Sequence, residues 1–147
     1  MDTKFILAIF LMVAGGIAGL AFWQVKTCCA QGSTIGRESQ IQNLSAREFK
    51  KWLDAKRPQV FLLDVRTQAE YEEGHIDQPD ARIDYREINQ HVDQLPQDKN
   101  IPILVYCRSG NRSAQAAQTL IDLGYSQVYN LEKGILDWQT QRFSLNQ

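Results

Sequence analysis

The chain has 147 residues, the length of one ordinary domain. Sixteen Lys and Arg face seventeen Asp and Glu for a formal charge of −1, without the basic excess of a general nucleic-acid binder, so no nucleic-acid partner is expected. Hydrophobic residues at 44% and charged residues at 22% exclude global disorder, and three cysteines are too few for a disulfide-built scaffold. Phe5 to Trp23 is an uncharged apolar run containing Gly15, Gly16 and Gly19. As a helix it would extend about 28 Å, close to the hydrocarbon thickness of a bilayer. The expectation is one transmembrane helix over residues 5–23, within an N-terminal anchor or signal segment of residues 1–23, and a single-pass membrane location. The alternative is a signal cleaved near Ala30, after the small residues Cys28 and Cys29, with export of the remainder. Asp2 and Lys4 on one flank and Lys26 and Arg37 on the other give no clear orientation. Residues 24–40 are polar with two glycines and read as a linker. Cys28 and Cys29 are either lipidation sites or incidental thiols.

From Ile41 onward the pattern is globular. Ser45 and Glu48 form a capping box ahead of Phe49, Trp52 and Leu53 at helical spacing, a helix that must stop before Pro58. Val60 to Leu63 reads as a buried strand. Thr67 and Glu70 form a second capping box, opening a short helix that ends at Gly74. A short strand is expected within Asp80–Asp84, and a helix over Tyr85–Val92. Ile103 to Tyr106 is a second apolar run. Ser113 to Leu123 should be a helix with Ala114, Ala117, Leu120 and Ile121 on one face and Gly124 as its stop. Val128–Leu131 is a last strand, and Ile135–Gln139 a last helical turn. Doubly buried strands alternating with helices predict an α/β domain on a mainly parallel sheet. About 105 residues can bury one modest core unaided.

The segment Cys107-Arg108-Ser109-Gly110-Asn111-Arg112-Ser113 lies between a buried strand and a helix. In an open parallel sheet, ligands bind beyond the carboxyl ends of strands, where Cys107 falls. The loop aims backbone N–H groups at one centre, the following helix presents its positive end, Gly110 permits the tight path, and Arg108 and Arg112 add positive charge. A thiolate there is favoured, and an oxyanion can sit beside it. Each element alone has a plainer reading: a lone Cys at a strand end is commonly a small buried hydrophobe, loop arginines are commonly solvated, and Ser113 can be a mere first-turn polar residue. Their combination carries the signal.

The loop Cys107–Ser113 resembles the active-site loop of the rhodanese family of sulfurtransferases. So do Leu63-Asp64-Val65-Arg66, Glu70-Tyr71 and Gly74-His75-Ile76 upstream, and Asn130 to Gly134 with Trp138 downstream. The resemblance covers about Ile41 to Arg142, and residues 143–147 are left as a C-terminal tail. It implies a three-layer rhodanese-like fold around a five-stranded sheet. It implies that Cys107 takes sulfane sulfur from a small donor such as thiosulfate as a persulfide, and yields it to a thiol or cyanide. On this resemblance Cys107 is catalytic, and Arg108, Ser109, Gly110, Asn111 and Arg112 bind the anionic donor and persulfide. Asp64 and Arg66 support the site, with Arg66 spaced to pair with Glu70; His75 is structural.

No cofactor is implied. No Cys/His spacing reads as a metal site, since His75 and His91 stand far apart in sequence. Two departures from the family pattern are visible: Asp77-Gln78-Pro79-Asp80-Ala81 replaces a shorter glycine-containing link, and Lys133 stands where the first of two closing glycines is common. Two other functions stay open: a Cys-dependent phosphatase or arsenate reductase, although only four residues separate Cys107 from Arg112, and a membrane-tethered, non-catalytic binding module. The sequence leaves the oligomeric state unspecified.

Overall fold

The computed structural model describes residues 41–147. The transmembrane or signal segment, the linker, Cys28 and Cys29 lie outside the described residues. Among the described residues no helix is long and apolar enough to cross a membrane.

The elements in chain order are β1 (Ile41–Leu44), α1 (Ala46–Lys56), β2 (Phe61–Asp64), α2 (Gln68–Glu72), β3 (Ala81–Arg82), β4 (Ile103–Tyr106), α3 (Asn111–Asp122), β5 (Val128–Leu131) and α4 (Gly134–Thr140). The five strands form one sheet in the order β1-β5-β4-β2-β3, and every pairing is parallel. Period-two alternation divides the core into two layers. Leu62, Leu104, Tyr106, Tyr129 and Leu131 face α1 and α4, where Phe49, Leu53, Ile135 and Trp138 pack. Leu63, Val65, Val105, Cys107 and Val128 face α3 and the turns after β3, where Ala116, Ala117, Leu120, Ile88 and Leu95 pack. The three-layer α/β expectation is met.

Both capping boxes form. The Ser45 side chain accepts from the Glu48 N–H while the Glu48 carboxylate accepts from the Ser45 N–H, and Thr67 and Glu70 repeat the arrangement. α1 ends at Lys56, ahead of a 3-10 turn over Arg57–Gln59 that carries Pro58. α3 begins two residues earlier than expected, at Asn111, and buries Ala116 rather than Ala114.

The helix expected over Tyr85–Val92 is absent. That stretch holds two 3-10 turns, Ile88–Gln90 and Val92–Gln94. Asp84 Oδ1 accepts from the Arg86 N–H at 3.0 Å, a local bond that competes with helix nucleation. Ile88 is the one buried hydrophobic residue between Tyr85 and Val92, so no apolar stripe repays a longer helix. The tail assignment for 143–147 is also corrected. Phe143 and Leu145 pack on the α1/α4 layer, and Trp138 Nε1 donates to the Ser144 carbonyl at 2.9 Å. His75 and Asn146 exchange two backbone hydrogen bonds of 2.9 Å each. Two apolar residues alternating over five positions were too short a pattern to announce this docking.

The lengthened link after Ile76 is held by Arg57. Its Nε donates to Asp77 Oδ2 at 2.8 Å and its Nη1 to Asp80 Oδ2 at 2.9 Å, and the same Asp80 oxygen accepts from the Leu62 N–H at 2.7 Å. Asp77 itself takes the left-handed conformation, with φ 48°, in place of a glycine.

Candidate active site

β4 lies between β5 and β2, and its carboxyl end delivers Cys107 to the middle of the sheet's edge. The thiol is fully buried. The chain then turns through Arg108, Ser109 and Gly110 into α3, with Gly110 as N-cap at φ 93°. A Cβ at Gly110 would lie 1.7 Å from the Glu132 carbonyl oxygen, so only glycine fits. The loop curls around the sulfur. The Gly110 N–H donates to Cys107 Sγ at 3.1 Å, and Ser113 Oγ lies 3.3 Å from the same atom. Ser113 Oγ is also 3.0 Å from the Gly110 carbonyl, so its single proton has two acceptors in reach.

Burial pushes the Cys107 thiol up; the Ser113 hydroxyl and the backbone N–H groups of Ser113, Ser109 and Gly110 outweigh it, and the thiol is held below its ordinary value. The loop therefore stabilises negative charge on the sulfur. Ser113 was read from sequence as a possible bystander. The i, i+6 spacing from Cys107 into the first turn of the following helix is the signal that identifies it, because that turn faces back over the loop.

The two loop arginines differ. Arg112 makes a two-pronged pair with Glu70, Nη1 to Oε2 at 2.8 Å and Nη2 to Oε1 at 2.5 Å. The Arg112 guanidinium pulls the Glu70 carboxyl down to about 2 against the opposing effect of burial, with the Thr67 N–H and hydroxyl assisting. Arg112 thus ties α3 to the start of α2 and has its charge compensated. The Glu70 carboxylate first, and the Cys107 sulfur besides, hold the Arg112 guanidinium charged, while the expected Arg66–Glu70 carboxylate pair does not form. Glu70 was not among the expected site residues.

Arg66 instead belongs to Asp64. Its Nε lies 3.0 Å from both Asp64 oxygens, its Nη2 lies 2.6 Å from Oδ2, and both residues are buried. Its remaining donors reach the Glu70 and Gly74 carbonyls at 2.8 and 2.9 Å. Paired with Asp64, Arg66 thus holds the segment that carries Glu70. Tyr106, next to Cys107, stacks under the Arg66 guanidinium, 5.4 Å from the ring centroid, and its hydroxyl accepts from the Ile76 N–H at 3.3 Å.

Arg108, Ser109 and Asn111 are exposed on the outer face of the loop. α4 locks the loop from the other side. The N–H groups of Ile135 and Leu136 donate to the carbonyls of Cys107 and Arg108 at 2.9 and 3.2 Å. Gly134, at φ 61°, makes this approach possible, since a Cβ there would lie 2.5 Å from the Arg108 carbonyl. A groove of about 480 Å3 runs beside the loop, with Glu70, Glu73, Arg108, Leu136 and Leu145 among its walls. His75 is buried, stacks on Tyr71 with ring centroids 4.1 Å apart, and holds the C-terminal segment. Among the described residues no group of three or more His, Cys, Asp or Glu is placed to hold a metal ion.

Residues 45–141 match the family described as the Rhodanese-like domain. A protein of Allochromatium vinosum described as a sulfurtransferase is 41% identical over 80 residues, which cover 54% of this chain and 71% of that protein. A tRNA uridine(34) hydroxylase of Chlamydia pneumoniae is 28% identical over 79% of this chain, and the match spans only 37% of the hydroxylase. The crystal structure of a rhodanese-related protein from Thermoplasma volcanium superposes with a TM-score of 0.61 at 27% identity, over 71% of this chain and 97% of that one.

Proposed function

The chain belongs to the rhodanese-like domain family, and from that premise we propose that it moves sulfane sulfur from an anionic donor of the thiosulfate type to a thiophilic acceptor through a persulfide on Cys107. The carrying observation is the cradle itself: a buried sulfur that accepts from the Gly110 N–H and the Ser113 hydroxyl at the mouth of a helix. In the first half-reaction the Cys107 thiolate attacks the outer sulfur of thiosulfate. The Cys107 S–S bond forms, the donor S–S bond breaks, and sulfite leaves with the bonding pair. In the second, cyanide or a thiolate attacks the terminal sulfur. Thiocyanate or a new persulfide departs, and the Cys107 thiolate is restored. The same donors that stabilise the thiolate stabilise the persulfide anion, so both charged resting states lie in one preorganised site.

Incubating the protein with thiosulfate should add the mass of one sulfur atom to Cys107, and cyanide should remove it. Cys107→Ser should abolish both events; turnover surviving in that variant overturns the reading. A phosphatase or arsenate reductase is less well served, because only four residues separate Cys107 from Arg112, a tighter ring than the five-residue spacing that holds a tetrahedral phosphate. The intact loop likewise serves catalysis better than passive docking. The match spans about a third of the tRNA hydroxylase, so that protein's activity is not carried over.

In the same reading residues 5–23 anchor the chain in a membrane as a single span, which rests on their unbroken apolar run. The protein should then sediment with membranes, resist high salt and alkali, and dissolve in detergent. A mature N-terminus near Gln31 would replace the anchor with a cleaved export signal.

A further inference from the structure

The groove beside the Cys loop is lined by two cations and two carboxylates, and they are of two kinds. Arg66 is neutralised by Asp64, and Glu70 by Arg112. Arg108 and Glu73 form no ion pair among the described residues, either with each other or with a third group. Both are exposed. One uncompensated cation and one uncompensated carboxylate therefore line the same cavity of about 480 Å3, too far apart to pair. Their backbones are held. Glu73 caps α2, its N–H donating to the Ala69 carbonyl at 3.2 Å, and the next carbonyl, of Gly74, accepts from Arg66. The Arg108 carbonyl accepts from the Leu136 N–H at 3.2 Å. Arg108 directly follows Cys107, so the groove adjoins the nucleophile. The formal charges of its lining sum to zero, and the cavity lies in the size range of small-molecule sites, larger than cyanide needs. Such a lining complements a molecule that carries both signs of charge.

We infer that the sulfur acceptor is a zwitterionic thiol of the amino-acid class, held with its carboxylate on Arg108 and its ammonium on Glu73 while its sulfur faces the persulfide of Cys107. The inference rests on the sulfur-transfer reading and names the acceptor for it. The step balances without an oxidant or reductant. The acceptor thiolate attacks the terminal sulfur, the bond from that sulfur to Cys107 Sγ breaks, the bonding pair returns to Cys107 as its thiolate, and an amino-acid persulfide departs. Two exposed charges contribute modestly and are screened by salt, so their effect is discrimination among thiols rather than tight binding.

The test loads the full-length protein with thiosulfate, removes the donor, and follows loss of the added sulfur by intact mass. Four thiols serve as acceptors: cysteine, with both charges; cysteamine, with the ammonium alone; mercaptopropionate, with the carboxylate alone; and mercaptoethanol, with neither. Each variant is compared with the parent for the same thiol, which cancels differences in intrinsic reactivity. Arg108→Gln should slow cysteine and mercaptopropionate about three- to five-fold more than cysteamine and mercaptoethanol at low ionic strength. Glu73→Gln should slow cysteine and cysteamine by about the same factor relative to the other two. Arg108→Lys and Glu73→Asp should restore the parent ranking, and the differences should shrink in about 0.5 M salt. Slowing that is uniform across the four thiols, or no slowing in either variant, overturns the inference and leaves sulfur transfer standing. The groove can also be read without sulfur transfer, from the rate at which Cys107 forms a mixed disulfide with cystine relative to the neutral disulfide of mercaptoethanol. If the unsubstituted protein gains no sulfur from thiosulfate while that ratio still falls in both Gln variants, the sulfur-transfer reading falls and recognition of the zwitterion stands.

Discussion

Replacing Ser113 by Ala removes one hydroxyl donor from Cys107 Sγ, 3.3 Å away, and changes no other contact of the sulfur. A hydrogen bond to a charged group contributes about 1.5–3 kcal/mol, and a long bond to sulfur belongs at the low end. About 1.5 kcal/mol corresponds to roughly a tenfold smaller thiolate fraction wherever the thiol form predominates. The Ser113 proton has an alternative acceptor in the Gly110 carbonyl, so it favours the thiolate when that forms and costs the neutral thiol little. The sign follows: the hydroxyl holds the thiol down, and its loss must raise it. The pH dependence of Cys107 alkylation by iodoacetamide in Ser113→Ala should therefore run parallel to the parent curve but displaced to higher pH. The two rates should differ about tenfold on the acid side and converge once both thiols are ionised. Melting temperature serves as a control, since a buried hydroxyl contributes about 1 kcal/mol to stability by itself. Superimposed pH profiles would refute the claim that the Ser113 hydroxyl tunes the sulfur.

Glu70→Gln should cost little at neutral pH, under about 1 kcal/mol for a partly exposed pair, but should alter the acid limb of stability. The folded Glu70 carboxyl is held at about 2, below its ordinary 4.5, so its contribution is present above about 4.5 and is lost as pH falls toward 2; urea denaturation of parent and variant should converge over that range. Asp64→Leu leaves the buried Arg66 guanidinium without its anion and should destabilise by about 3–5 kcal/mol, while Asp64→Leu combined with Arg66→Met should recover most of the loss in the same denaturation experiment. Gly134→Ala places a methyl 2.5 Å from the Arg108 carbonyl and should push α4 off the Cys loop, so Cys107 reactivity should drop further than the accompanying loss of about 1–3 kcal/mol in stability accounts for.

The sequence by itself determined the parallel α/β alternation, both capping boxes, the position of Cys107 at a strand end and the glycine that turns the loop, because each rests on neighbours within a few residues. Apolar runs bounded by polar turns mark buried strands, and a Ser or Thr three residues before a Glu marks a helix start, without reference to the rest of the chain. The partners of the charged side chains were decided by tertiary structure. Arg66 stands four residues from Glu70, a spacing that pairs charges on a helix, yet α2 begins only at Gln68, so Arg66 lies outside the helix and its guanidinium meets Asp64 instead. That leaves Glu70 to Arg112, forty-two residues away, a pairing that exists only because β2 and β4 lie side by side in the sheet. The docking of residues 143–147 and the clamp of α4 on the Cys loop are likewise long-range backbone bonds, to His75 and to Cys107 and Arg108. Local pattern fixes which elements form; which charges meet across them depends on strand order, and strand order is set by packing the whole core at once.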